Sequence, residues 1–211
     1  MIPSKEEWIQ ALDDRHGIEF QKKISSTTVA VCGLGGLGSN IAISLARAGI
    51  GKLILIDFDK VDITNLHRQQ YKANQIGMCK TEALQNNLKE INPYLETKIH
   101  TICLDESNAK DVLADADIIC EAFDNAEAKA NIVNFVLSEM PNKYIVAASG
   151  MAGLDSANLI KTRKVSKRFY LCGDEVSDIK DGIGLVSTRV MLCAAHQAHT
   201  VLRIIAEEYE V

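Results

Sequence analysis

The chain has 211 residues, is 47% hydrophobic and 24% charged, and carries a formal net charge of −5. This length suits one domain, 1–211 with a helical segment over 1–24, of ordinary globular composition. The acidic balance argues against a nucleic-acid binder, and no stretch approaches the roughly 20 apolar residues that span a bilayer.

The polar start, MIPSKEEWIQALDDRHG, has no apolar signal-peptide core, so the chain reads as cytoplasmic. Residues 5–14 put Trp8, Ile9 and Leu12 on one side of a short helix. A buried strand over 28–32 leads into a glycine cluster. Ile41, Leu45 and Ala48 then recur at helical spacing, and Gly49 and Gly51 stop that helix before a strand over 52–57. Further along, 80–92 reads as a helix, 96–104 as a strand, 107–116 as a helix and 117–123 as a strand. A helix over 126–140, a strand over 143–149, antiparallel strands within 156–172 and a long helix over 184–208 complete the chain. Such alternation specifies an α/β fold, Rossmann-like, with a largely parallel sheet, helices on both faces and antiparallel strands toward the C-terminus.

Gly33, Gly35 and Gly38 match GxGxxG, with Gly36 between them and Ser39 directly after. A helix start of this kind offers free N–H groups and the positive dipole end to a phosphate. Ser39 reads first as a helix-start residue and second as a phosphate contact. Asp57 lies 19 residues past Gly38 at a strand end, where a carboxylate accepts ribose hydroxyls. These features point to an adenosine nucleotide without saying which one. Beyond Asp57, DFDKVDITNLHRQQ supplies Asp59, Asn65, Arg68 and Gln69; Lys80 begins a helix, and Asp124 follows a strand. A dehydrogenase needs no second and third cationic or acidic group here, whereas a site for a triphosphate and Mg²⁺ does.

Several other features read as structural. KTRKVSKR, 161–168, places five basic residues in eight and is weighed as a solvated strand before a docking patch. The six cysteines include no CxxC pair and read as small core residues. Cys193, His196 and His199 spread around the last helix and lack a fourth ligand, so helix packing is preferred to a metal site.

Taken together, GLGGLGSN, ARAGIGKLILIDFD, TNLHRQ, Lys80, AFDN and the closing GLVSTRV…AAHQAHTVLRII helix resemble the ubiquitin-activating-like adenylating enzymes, the group that includes ThiF, MoeB and HesA. The likeness covers nearly the whole chain, and with RHG and FYLCGDE it is most similar to the shorter, second type of ThiF. The resemblance implies ATP and Mg²⁺ as cofactors, a ThiS-like sulfur carrier as partner, a homodimer, and adenylation of the carrier's C-terminal glycine in thiamine biosynthesis. It assigns Gly33, Gly35, Gly36 and Gly38 to the phosphates, Asp57 to the ribose, and Asn65, Arg68 and Lys80 to the phosphate groups. Asp59 lies close enough to assist, and Asp124 would hold Mg²⁺. Arg15 matches the arginine that relatives lend to a neighbouring subunit's ATP, at a shorter spacing to Gly33 than in MoeB-like chains. Relatives' zinc-binding CxxC pairs survive only as Cys172, which argues against zinc and leaves Cys172 as the one candidate thiol, with core packing ahead of catalysis.

The chemistry fits that residue set. A carboxylate and a phosphate ~4 Å apart repel by ~1 kcal/mol per charge pair in water and ~4 kcal/mol at an effective dielectric near 20, so an adenylating site must gather cations. Three other readings compete: a relative that adenylates a molybdopterin carrier or a tRNA-bound carboxylate, an NAD-dependent oxidoreductase, and a catalytically silent homologue.

Overall fold

The computed structural model describes residues 2–211 apart from the side chain of Asp181; Met1 of the expected unit lies outside the described residues. Seven strands form one sheet: β1 Thr28–Cys32, β2 Lys52–Ile56, β3 Glu96–His100, β4 Ile118–Glu121, β5 Tyr144–Ala148, β6 Lys161–Ser166 and β7 Phe169–Gly173. They lie in the order β3-β2-β1-β4-β5-β7-β6. All neighbouring pairs are parallel except β6 with β7. The antiparallel extension is therefore one edge strand. β7 itself runs parallel to β5, because β6 runs antiparallel to both and carries the chain back to the end of the sheet where β5 starts.

The central strands carry apolar residues on both faces, as a sheet covered on both sides requires. Val29, Val31, Leu53 and Leu55 face one core, and Ala30, Cys32, Ile54 and Ile56 face the other. Helices α3 Gly36–Ala48, α4 Lys80–Ile91 and α7 Ser187–Ile205 cover the first face; α5 Ala109–Val112 and α6 Ala126–Glu139 cover the second. The expected helix over 107–116 shrinks to the four residues of α5. The expected strand over 96–104 ends at His100. At the N-terminus, α1 Lys5–His16 is followed by α2 Ile18–Ser26, with Gly17 between them at φ +83°. That conformation ends one helix and starts the next, and a single glycine is the only local sign of it.

From β1 the chain crosses over one face to β2, and from β4 over the other face to β5. The β1/β4 junction is thus the point where the winding reverses, the place beyond the strand ends where sheets of this kind bind ligands. Among the described residues no helix is long and apolar enough to cross a membrane.

Candidate nucleotide site

The glycine loop closes the end of β1. Gly33 takes φ +89°, its N–H donates to the Ile56 carbonyl at 2.9 Å, and a Cβ there would stand 2.8 Å from the Ala122 oxygen. A Cβ on Gly38 would stand 1.8 Å from the Gly33 carbonyl, so the first turn of α3 packs onto the loop only with glycine at that position. Helix α3 starts at an N-cap, Gly35, that makes no side-chain hydrogen bond. Its first N–H groups are therefore left for a ligand or water.

Asp57, at the end of β2, is almost wholly buried. One carboxylate oxygen accepts the Leu34 N–H at 2.7 Å and the other the Asp59 N–H at 2.7 Å. Each oxygen has two lone pairs, so acceptor capacity for a ribose is left. Lys80 is also buried; its Nζ donates to Asp59 Oδ2 at 2.7 Å and stands 3.7 Å from Asp57 Oδ2. The bridge between Lys60 and Cys79 brings the start of α4 to this corner. Lys80 thus sits between two carboxylates, in the corner where Asp57 accepts the Leu34 N–H. Tyr71 completes the corner by donating its hydroxyl to the Leu34 carbonyl at 2.7 Å. Burial and the charges of Asp57 and Asp59 push its pKa up, which keeps the phenol a donor.

Arg68 occupies the other end of the loop. Its side chain lies over Gly36, with Cγ and Cδ 3.5 Å from where a Cβ would be. Its Nη1 donates to the Thr64 carbonyl at 3.2 Å and approaches His67 Nε2 at 3.4 Å, while its buried Nε has no partner. No carboxylate pairs with it among the described residues. Beside it, Gln69 is buried with its Oε1 unpartnered and its Nε2 3.8 Å from the Cβ position of Gly35.

A polar network holds this segment on α3. Ser39 Oγ donates to the Gly35 carbonyl at 2.7 Å and accepts the Gln70 N–H at 3.1 Å. Asn40 donates to the carbonyls of Gly36 and Arg68, and Gln70 donates to Asn40 Oδ1 at 2.7 Å. Ser39, fully buried in the first turn of α3, fastens the loop, while the N-cap position itself belongs to Gly35. Asn65 accepts the Asp62 N–H at 3.2 Å and so caps the short turn Ile63–Asn65. Hydrogen bonds from the Thr64 hydroxyl and N–H hold the Asp62 pKa below its usual value.

Asp124 is exposed in the loop after β4 and forms no hydrogen bond or ion pair among the described residues. The preceding Ala122 and Phe123 abut Gly33. A free carboxylate open to water suits Mg²⁺, which keeps most of its hydration and takes one or two carboxylates together with phosphate oxygens.

Two candidates fall elsewhere. Arg15 ends α1, whose Leu12 packs against Gly49 at the C-terminal end of α3. The 13 residues of α3 put that end about 20 Å from the glycine loop. Cys172 is fully buried in β7, its pKa raised by burial, with Thr162 Oγ1 at 3.6 Å; a reactive thiolate needs the opposite environment. Cys193 and His196 also pack inward, His196 Nδ1 lying 2.9 Å from Thr162 Oγ1, and no metal-binding group exists among the described residues. In the basic stretch, Arg163 pairs with Glu175 at 2.7 Å, Lys164 pairs with Glu210 at 2.9 Å, and Arg168 lies over the Tyr144 ring.

Residues 10–211 match the family model described as the ThiF family. The chain is 39% identical over 121 residues to the adenylyltransferase and sulfurtransferase MOCS3 of Caenorhabditis briggsae, covering 57% of this chain and 30% of that protein. It is 27% identical over 209 residues to the adenylyltransferase and sulfurtransferase UBA4 of Vanderwaltozyma polyspora, covering 94% and 46%. It thus spans less than half the length of the curated relatives it matches. Among solved structures, the ATP complex of E. coli tRNA N6-threonylcarbamoyladenosine dehydratase has a TM-score of 0.86 at 19% identity, covering 99% of this chain and 98% of that one. The E. coli MccB complex with ATP has a TM-score of 0.70 at 22% identity, covering 92% and 60%. At such identities the likeness is one of fold.

Proposed function

Since the chain belongs to the ThiF family of adenylyltransferases, we propose that residues 1–211 form one adenylating domain acting on a ThiS-like sulfur carrier in the cytoplasm. In this reading AMP passes from ATP to the carrier's C-terminal glycine carboxylate, pyrophosphate leaves, and the adenylate feeds sulfur transfer for thiamine biosynthesis. The observation that carries it is Arg68, a guanidinium with no carboxylate partner among the described residues, lying over an uncapped helix start, where an anionic ligand would supply the counter-charge.

The residues divide the work. Asp57 accepts the ribose hydroxyls with its remaining lone pairs, and Lys80 keeps Asp57 and Asp59 charged and in place. The loop from Gly33 to Gly38 receives the phosphates, with Arg68 and Asn65 beside them. Arg68 offsets the repulsion between the incoming carboxylate and the α-phosphate and stabilises charge growing on the leaving group. Asp124 would hold Mg²⁺, which when bound supplies Lewis-acid neutralisation of the phosphates. Since the carboxylate itself attacks phosphorus, no enzyme nucleophile is required. Arg15, remote within its own chain, belongs in this reading to a neighbouring protomer's site in a homodimer; a monomeric mass at micromolar concentration would contradict it.

The full-length likeness to the tRNA dehydratase fold supports a second reading, a tRNA-bound carboxylate as acceptor. Against it, three basic side chains of 161–168 are already engaged by Glu175, Glu210 and Tyr144. ATP–pyrophosphate exchange separates the readings. A ThiS-like protein ending in Gly-Gly should stimulate exchange, and Arg68→Ala should abolish the stimulation. Stimulation by tRNA alone would transfer the assignment to the second reading, and exchange unaffected by Arg68→Ala would remove the site.

A further inference from the structure

A carboxylate is sealed beneath the loop that carries Asp124. Glu121, the last residue of β4, is fully buried. Its Oε1 accepts the Phe123 N–H at 2.7 Å and its Oε2 takes Lys129 Nζ from α6; burial pushes its pKa up, against the opposing pull of Lys129, the Phe123 N–H and the Ala148 N–H at the end of β5. Its carbonyl accepts Gln197 Nε2 from α7 at 2.9 Å, and the same amide reaches the Val146 carbonyl at 3.1 Å. One residue thereby ties together two strands and two helices. Burying a carboxylate is costly, and apolar side chains of similar volume serve packing as well or better. The pair therefore calls for a use beyond stability.

That use lies in what the side chain holds. Ala122 is fixed by its N–H to the Cys32 carbonyl at 2.8 Å and by its contact with Gly33. Phe123 is fixed by Glu121. Asn125 caps α6 through the Ala128 N–H at 2.9 Å, and Lys129, one turn on, returns to Glu121. Asp124, between these anchors, keeps both carboxylate oxygens free.

We infer that Glu121 is a positioning residue: clamped between the Phe123 N–H and Lys129, it fixes the loop whose Ala122 and Phe123 abut Gly33, and so holds the exposed Asp124 carboxylate that follows them ready for the cation of a metal–nucleotide complex. This rests on the proposed role of Asp124 and extends it to a residue that touches neither metal nor nucleotide.

The test uses the full chain and Mn²⁺ as a spectroscopic probe, with Mn²⁺–ATP binding followed by electron paramagnetic resonance and ATP binding in EDTA followed by calorimetry. Glu121→Ala should weaken Mn²⁺–ATP binding about tenfold, and Glu121→Gln, whose amide oxygen still accepts from Phe123, about threefold. Binding of ATP in EDTA should stay within about twofold, because Gly33, Asp57 and Arg68 are untouched. Wild-type Mn²⁺–ATP affinity in both variants overturns the inference, and so does an equal loss in EDTA, which marks general damage. Should Glu121→Ala not fold, Glu121→Gln and Lys129→Met decide by the same criteria. Asp124→Asn separates this inference from the reading beneath it. If Asp124→Asn weakens Mn²⁺–ATP and the Glu121 variants do not, only the positioning role falls; if Asp124→Asn also binds as wild type, the metal assignment falls with it.

Discussion

The two ends of the glycine loop are built on opposite plans. At the Asp57 end, the proposed ribose end, Asp57, Asp59, Lys80 and Tyr71 satisfy one another: two carboxylates share one ammonium, and a hydroxyl and a carboxylate oxygen hold the two polar groups of Leu34. At the Arg68 end, the proposed phosphate end, Arg68 has no carboxylate partner among the described residues, its buried Nε has no partner, and α3 has an uncapped start. A cation beside free helix N–H groups suits an anionic ligand, and in the proposed reading the phosphates are that ligand. The Asp57 end is closed; the Arg68 end is open.

That contrast can be broken by mutation. Lys80→Met strikes the closed end, leaving the buried Asp57 without its counter-ion while half-exposed Asp59 turns to water. The expected cost is about 3 kcal/mol, a fall of roughly 5–10 °C in Tm by calorimetry. An unchanged Tm would mean that the ribose corner is as unfinished as the phosphate end. A second ion-paired corner lies at the end of β7, where Arg189 binds Asp174 and the carbonyls of Asp155 and Ser156 and leaves its buried Nε unpartnered. Burial works to raise the Asp174 pKa but is outweighed by the N–H groups of Ser177 and Val176, the Ser177 hydroxyl and Arg189, which bring it down to about 2. A depressed carboxylate stabilises above its unfolded pKa near 4 and loses that stability as pH falls toward 2. Asp174→Asn should therefore remove about 2 kcal/mol of acid-dependent stability in that window in pH-resolved denaturant melts. Wild-type pH dependence would show the network to be idle. Tyr71→Phe, the mildest change, should cost about 1 kcal/mol by stranding the Leu34 carbonyl, with Mg²⁺–ATP binding nearly retained. A larger loss in binding than in stability would move Tyr71 to the open end.

The glycine loop, Asp57 and the buried strands were legible because glycine spacing and apolar runs are local signals. The pairing of Lys80 with Asp59 was not, since it depends on how the turn after β2 returns to the start of α4. Both cations could be read as part of the site, but that carboxylates engage Lys80 and that none pairs with Arg68 among the described residues are tertiary facts. Gln69 stands next to Arg68 and could be named with it, but Tyr71, three residues past Arg68, could not, since a tyrosine in a loop carries no signal until its backbone partner is known. Glu121 reads as one more residue of an apolar strand, DIICEAF, and only an acid inside a fully buried run hinted at it. The parallel run of β7 beside β5 escaped because the edge strand β6, and not a helix, carries the chain back between them, so the usual mark of a parallel connection is missing there.

The central claim is that Arg68 waits for the phosphates and not for the nucleoside. The direct measurement is equilibrium binding of Mg²⁺–ATP and of adenosine to the wild type and to Arg68→Ala, with Tm recorded for both. The account predicts that the variant loses Mg²⁺–ATP affinity by about a hundredfold, keeps adenosine affinity within about twofold and melts as the wild type does. Equal losses for both ligands, or undiminished Mg²⁺–ATP affinity, would contradict it.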